Sequence, residues 1–150
     1  MTLLARWRAL DPARRRLLLR ALAALCAASL KIRLMPFARI AAGLGTMQPP
    51  QPEPGGEPTE KLRARQIRWA IDAAARRLPF ECACLARALA AHAIAREQGL
   101  APVLHMGAER GQQGRAETHA WLTAAGVGVT GYPLPPGMVE IGAFYRCITD

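Results

Sequence analysis

The chain changes rhythm at Gly99-Leu100-Ala101-Pro102. A glycine suited to the left-handed turn that ends a helix, then a proline that cannot continue one, closes an Ala- and Leu-rich run. Before this point the chain reads as helices; after it, as short strands set between Gly- and Pro-rich turns. Helices first and strands last bury their apolar faces against one another as a helix layer on an antiparallel sheet. The expected class is therefore α+β, with N-terminal helices followed by a small antiparallel sheet.

Local signals set the expected elements. Asp11-Pro12 pairs a capping side chain with a proline at the first helical position, predicting a helix over 13–34 that Pro36 ends. Thr59 is the expected cap of a second helix over 60–77, with Leu62, Ala70, Ile71 and Ala74 on one broad face. Leu78-Pro79 separates it from a third helix that begins at Cys84. Strands are expected over 103–106, 118–123 and 127–130, the last two joined by a tight turn at Ala125-Gly126, with a final strand over 139–147. The polar, Gly-rich stretch 107–117 reads as a loop, and the Pro- and Gly-rich stretch 46–58 as an extended, loose connection. No internal repeat is visible. The chain reads as one domain over 1–150: a basic helical segment (1–45), the connection (46–58) and a core (59–150).

Charge bounds the partners. The formal charge is +9, and nine basic residues between Arg6 and Arg39 oppose one acid, Asp11. That excess fits an acidic partner or an anionic membrane face, and leaves open a peripheral contact with a membrane surface. No zinc-finger spacing, RNA-binding motif or phosphate loop accompanies it, so a nucleic-acid partner is not expected. The apolar run 17–30 is interrupted by Arg20 and Ser29 and is shorter than the roughly 20 residues of a membrane span. Leu25 before Cys26 is too large for a lipoprotein cleavage site, and no small-residue site follows. Four cysteines, Cys26, Cys82, Cys84 and Cys147, are too few for a disulfide framework, so a cytoplasmic chain with reduced thiols is expected.

Two residues carry the chemistry. Cys84 opens the third helix, and His119 stands in Thr118-His119-Ala120-Trp121-Leu122 on a predicted strand. A helix N-terminus and a nearby imidazole both favour thiolate over thiol, and a thiolate is the reactive nucleophile. Cys82 is the competing thiol; Cys82-x-Cys84 has no second pair at zinc-ligand spacing. His92, eight residues along the same helix, is about 12 Å from Cys84 at 1.5 Å per residue and cannot meet it. His105 falls on a neighbouring strand, and geometry alone does not exclude it. Trp121 shares the strand face of His119, either as packing or as a wall that shields the imidazole from water.

The motif Cys84-Leu85-x-x-Ala88-Leu89-Ala90, the segment Gly99-Leu100-Ala101-Pro102-Val103-Leu104-His105-Met106-Gly107 and His119-Ala120-Trp121-Leu122 together resemble the transglutaminase-like leader peptidase of lasso-peptide biosynthesis, the B2 protein. The same region corresponds to the C-terminal half of fused microcin-processing B proteins. The resemblance implies a papain/transglutaminase-like fold and a cysteine peptidase that removes the leader from a lasso-peptide precursor. It places the catalytic thiol and imidazole on Cys84 and His119. No metal, nucleotide or other cofactor is implied. The implied partners are the precursor peptide, a separate leader-recognition protein and the lasso cyclase. Two rival readings are an acyl transferase of the transglutaminase kind, which shares the acyl-enzyme step, and a non-catalytic precursor-binding module.

The family usually places an Asp on the strand after His-Ala-Trp, which orients the imidazole. Here the turn at Ala125-Gly126 sets residues 131–133 opposite His119, and they are Gly131, Tyr132 and Pro133. Thr130, Tyr132, Glu140 or a backbone carbonyl remain as substitutes for the third member.

Overall fold

The computed structural model describes residues 2–145. The elements run α1 (Leu3–Ala9), α2 (Pro12–Leu34), α3 (Phe37–Leu44), β1 (Met47–Gln48), α4 (Pro58–Ala75), α5 (Cys84–Glu97), β2 (Pro102–Arg110), a short 3-10 turn (Gln112–Gly114), β3 (Ala116–Ala124), β4 (Val127–Thr130) and β5 (Val139–Phe144). The strands form one antiparallel sheet in the order β1-β5-β2-β3-β4. This is the expected α+β plan.

The helix ends follow their local chemistry. At the start of α2 the Asp11 carboxylate accepts from the Arg14 backbone N–H at 2.9 Å, and Pro12 takes the first helical position. The α4 helix starts earlier than expected. Pro58, not Thr59, opens it, and the Glu57 N–H donates to the Glu60 carboxylate at 2.9 Å. The fixed φ of proline suits the first helical residue, which places the cap one step upstream of it. The α5 helix stops as its sequence dictates. Gly99 takes φ +75°, its N–H donates to the Arg96 carbonyl, and the Leu100 N–H reaches back to Ala95 at 2.9 Å.

Small residues bring the layers close. Ala21, Ala24, Ala64, Ala70, Ala74, Ala88 and Ala91 are buried with Leu18, Leu25, Ile67, Ile71 and Ile94 among α2, α4 and α5. The sheet adds Leu104, Ala120, Leu122, Ala124 and Phe144 to this core, so alternation turns Val103, His105, Trp121 and Thr123 to its other face.

Two stretches depart from expectation. Residues 107–117 are mostly strand: β2 and β3 stay paired from Pro102↔Ala124 out to Arg110↔Ala116. Only 111–115 form the turn, where Gln113 and Gly114 take φ of +75° and +74°. This end of the ribbon is exposed, so its residues are polar and carry no apolar alternation. Nor does 46–57 hang loose. It pairs Met47 and Gln48 with β5 at one edge of the sheet, donates the Gln51 N–H to the Tyr145 hydroxyl, and donates the Gly56 N–H to the Ala125 carbonyl in the β3–β4 turn. It is a strap that crosses the sheet. Proline leaves few backbone donors to satisfy, which suits a segment held at separate points rather than along a ladder. The last strand ends at Phe144, and Cys147 lies outside the described residues.

Candidate active site

Cys84 is the first residue of α5. Pro79 keeps α4 from running on, and Ala83 stands extended at the N-cap with no side-chain hydrogen bond. The first N–H groups of the helix are therefore uncapped by a side chain, and Cys84 stands in the first turn at their positive end. His119 arrives on β3. Both are half-buried, and both line one cavity of about 330 Å³ with Cys82, Thr130, Gly131 and Tyr132.

The imidazole has a defined tautomer. Its Nε2 lies 2.9 Å from the Gly131 carbonyl oxygen. A carbonyl only accepts, so Nε2 carries the hydrogen and Nδ1 of the neutral ring carries the lone pair. The group that meets this nitrogen is thus a backbone carbonyl, one of the substitutes left open by the sequence. Gly131 has φ +81°, and a Cβ there would fall 2.5 Å from the Trp121 Cβ. This backbone has no room for a side-chain carboxylate at 131.

The other substitutes are employed elsewhere or stand apart. Glu140 is corrected outright: it bonds His105 Nδ1 at 2.5 Å rather than His119. Thr130 Oγ1 is buried without a hydrogen-bond partner. Tyr132 lines the cavity, and burial, then the charges of Glu53 and Glu140, push its phenol up, so it stays protonated. Burial likewise pushes the Cys82 thiol up, which disfavours its reactive form.

His105 is buried away from the cavity. Its Nδ1 faces Glu140, and its Nε2 faces Thr123 Oγ1 at 2.8 Å and Glu53 at 3.0 Å. The Thr123 hydroxyl donates to Glu53 at 2.5 Å, so both ring nitrogens donate and the ring is an imidazolium. Burial alone would lower its pKa, but the hydrogen bonds to Glu53 and Glu140 and their charges hold it above 6.5. Glu53 mirrors this: burial opposes ionisation, and the bonds to His105 and Thr123 hold it below 4.5. Trp121 stacks with His105 at 5.3 Å and with His119 at 6.0 Å between ring centroids. Glu53 gave no signal within its proline run, and reading 107–117 as a loop hid the register that sets His105 opposite Trp121. His92 lines a separate groove among α2, α3 and α5.

The charged groups around the cavity balance. Arg68 and Arg87 face Asp72 and Glu81, and Arg87 lies 3.9 Å from Asp72. Among the described residues no group of three or more His, Cys, Asp and Glu is placed to hold a metal ion.

A cysteine at a helix start beside a strand-borne imidazole, with helices packed on an antiparallel sheet, defines the class of papain-like thiol–imidazole folds. The family model of the transglutaminase-like superfamily matches residues 22–140, and the chain belongs to that superfamily, whose members are often cysteine peptidases or acyl transferases. No curated protein and no solved structure matches the chain.

Proposed function

We propose that the chain is a cysteine peptidase that removes the leader from a lasso-peptide precursor. The observation that carries the chemistry is the shared cavity of Cys84 and His119, with Nδ1 of the imidazole left as the basic atom. The subfamily and the substrate rest on the Cys84-Leu85, Gly99–Gly107 and His119-Ala120-Trp121 motifs.

His119 Nδ1 takes the proton of the Cys84 thiol, and the thiolate attacks the carbonyl carbon at the leader–core junction. The N–H groups at the start of α5 receive the oxyanion. The imidazolium returns its proton to the leaving amine, the peptide bond breaks, and a thioester remains on Sγ. Water, deprotonated by the same Nδ1, hydrolyses the thioester. A separate leader-recognition protein presents the precursor, and a cyclase uses the released core.

The test is incubation of a synthetic precursor with the chain and its leader-binding partner, read by mass spectrometry. Wild type and Cys82→Ala yield two fragments, Cys84→Ala none, and His119→Ala is slower by several orders of magnitude. A product in which two molecules are joined would make the chain an acyl transferase. Cleavage that survives Cys84→Ala and disappears in Cys82→Ala would refute the nucleophile.

A further inference from the structure

The proposed cleavage uses Cys84 and leaves Cys82 without a part, yet both residues line one cavity. The backbone between them is short and extended. Ala83 stands at φ −57° and ψ 154°, close to the polyproline conformation. At a rise of about 3.1 Å per residue, that backbone sets the two Cα atoms about 6 Å apart. A disulfide takes Cα atoms roughly 4.4–6.8 Å apart, so the span suits a bridge without a change of fold. Residues 81–83 belong to no helix or strand, and Ala83 makes no side-chain cap bond, so no ladder resists a small turn of the Cys82 side chain. The two thiols differ in access. Cys84 is half-buried at the helix start, whereas Cys82 is 6 % exposed and burial pushes its thiol up. Cys26 is exposed and lines a separate cavity with Leu30, Arg33 and Phe80.

We propose that Cys82 is the resolving thiol of Cys84, so that hydrogen peroxide converts the pair into a Cys82–Cys84 disulfide instead of destroying the Cys84 thiol. Cys84, the more accessible of the two, reacts first. Its sulfur attacks one peroxide oxygen and the O–O bond breaks. A sulfenic acid forms on Sγ, and the other oxygen leaves as water with the thiol proton. The Cys82 sulfur then attacks the sulfenic sulfur. The S–S bond forms, the S–O bond breaks, and the hydroxide leaves with the Cys82 proton as a second water. Two thiols are oxidised, and one peroxide is reduced to two waters. Burial disfavours the Cys82 thiolate, and the two-residue tether offsets this by holding it beside its target. The bridge closes too short a loop to stabilise the fold, so a dithiol reopens it. The bridge itself needs no catalytic role for Cys84; its control over cleavage rests on the proposed peptidase reading.

The test reduces the full chain, exposes it to hydrogen peroxide, alkylates it with N-ethylmaleimide and cuts it with trypsin. The cysteines fall on separate peptides: Cys26 on 21–31, Cys82 with Cys84 on 78–87, and Cys147 on 147–150. In wild type the 78–87 peptide is expected two hydrogens lighter and unalkylated, and dithiothreitol restores both thiols. In Cys82→Ala the same treatment carries Cys84 on to the sulfinic acid, which dithiothreitol does not reverse. Sulfinic acid on Cys84 as fast in wild type as in Cys82→Ala, or Cys82 joined to 21–31 or 147–150, overturns the proposal. Cleavage of precursor separates it from the peptidase reading. A bridge that forms and reopens in a chain that never cleaves refutes the peptidase alone. A chain that cleaves when reduced but forms no bridge refutes the bridge alone. Where both hold, peroxide abolishes cleavage, and dithiothreitol restores it in wild type but not in Cys82→Ala.

Discussion

Gly131 shows how much one residue decides in this site. Its carbonyl fixes the His119 tautomer, and its φ of +81° and its contact with Trp121 forbid a side chain. Gly131→Ala therefore combines left-handed strain of about 1–2 kcal/mol with a clash against Trp121. The expected outcome is a loss of about 2 kcal/mol or more in denaturant unfolding, and at least a tenfold loss of cleavage under conditions where the variant is still folded. Gly131→Asp behaves the same way and does not complete a triad. Recovery or increase of activity in Gly131→Asp would show that the backbone can move aside. The two thiols make a second contrast at this scale. Cys84 stands at a helix N-terminus in the cavity that His119 also lines, whereas burial pushes the thiol of Cys82, two residues earlier, up.

Among the elements, the strap is the one whose chemistry is least local. Glu53 fastens it to His105 and Thr123, and Gly56 fastens it to the β3–β4 turn. A Cβ on Gly56 would fall 2.3 Å from that of Ala125, so Gly56→Ala costs about 1–3 kcal/mol, read by chemical denaturation. The clamp also gives stability a pH signature. His105 has a folded pKa above 6.5, so its contribution is whole below that value and is lost as pH rises through the raised one. Glu53 has a folded pKa below 4.5, so its contribution is whole above that value and is lost as pH falls through the lowered one. The clamp stabilises fully between about pH 4.5 and 6.5. Thermal melts of wild type should decline on both sides of this window, and His105→Gln should flatten the alkaline decline. An alkaline decline unchanged in His105→Gln would remove His105 from the account.

At the scale of the whole molecule, α2 packs on α4 and α5 and carries much of the N-terminal excess of basic residues. The α2 helix buries Leu18, Ala21 and Leu25 yet leaves Leu19, Leu30 and Leu34 at 53 %, 56 % and 73 % exposure, with Arg16, Lys31 and Arg33 exposed around them. No helix among the described residues is long and apolar enough to cross a membrane. An exposed apolar stripe edged by cations suits docking of a partner, and the proposed function calls for one that grips the leader. Cleavage by the chain alone should be slow, and should rise on adding the leader-binding protein, which raises the effective concentration of the junction near Cys84. If the Arg and Lys residues carry docking, the stimulation falls with salt while basal cleavage does not. Stimulation that ignores salt assigns docking to the leucines, and full-rate cleavage without any partner contradicts the division of labour.

What the sequence determined by itself was whatever rests on neighbours along the chain. The Asp11-Pro12 start, the Gly99 stop, Cys84 at the head of its helix and the turn at Ala125-Gly126 each follow from a few adjacent residues, through capping, fixed φ or left-handed backbone. That Cys84 and His119 would line one cavity was legible too, because their motifs come in order on a helix and a strand that the α+β plan brings together. Tertiary structure alone decided the rest. Which of the open groups meets His119 was decided there: its Nε2 lies against the Gly131 carbonyl, on a β3–β4 pair whose register shifts between Leu122 and Thr123. Glu140 went to His105, and Glu53 crossed the sheet to join it from 70 residues before Thr123. A buried imidazolium draws carboxylates from wherever the fold can bring them, and no local pattern records where that is.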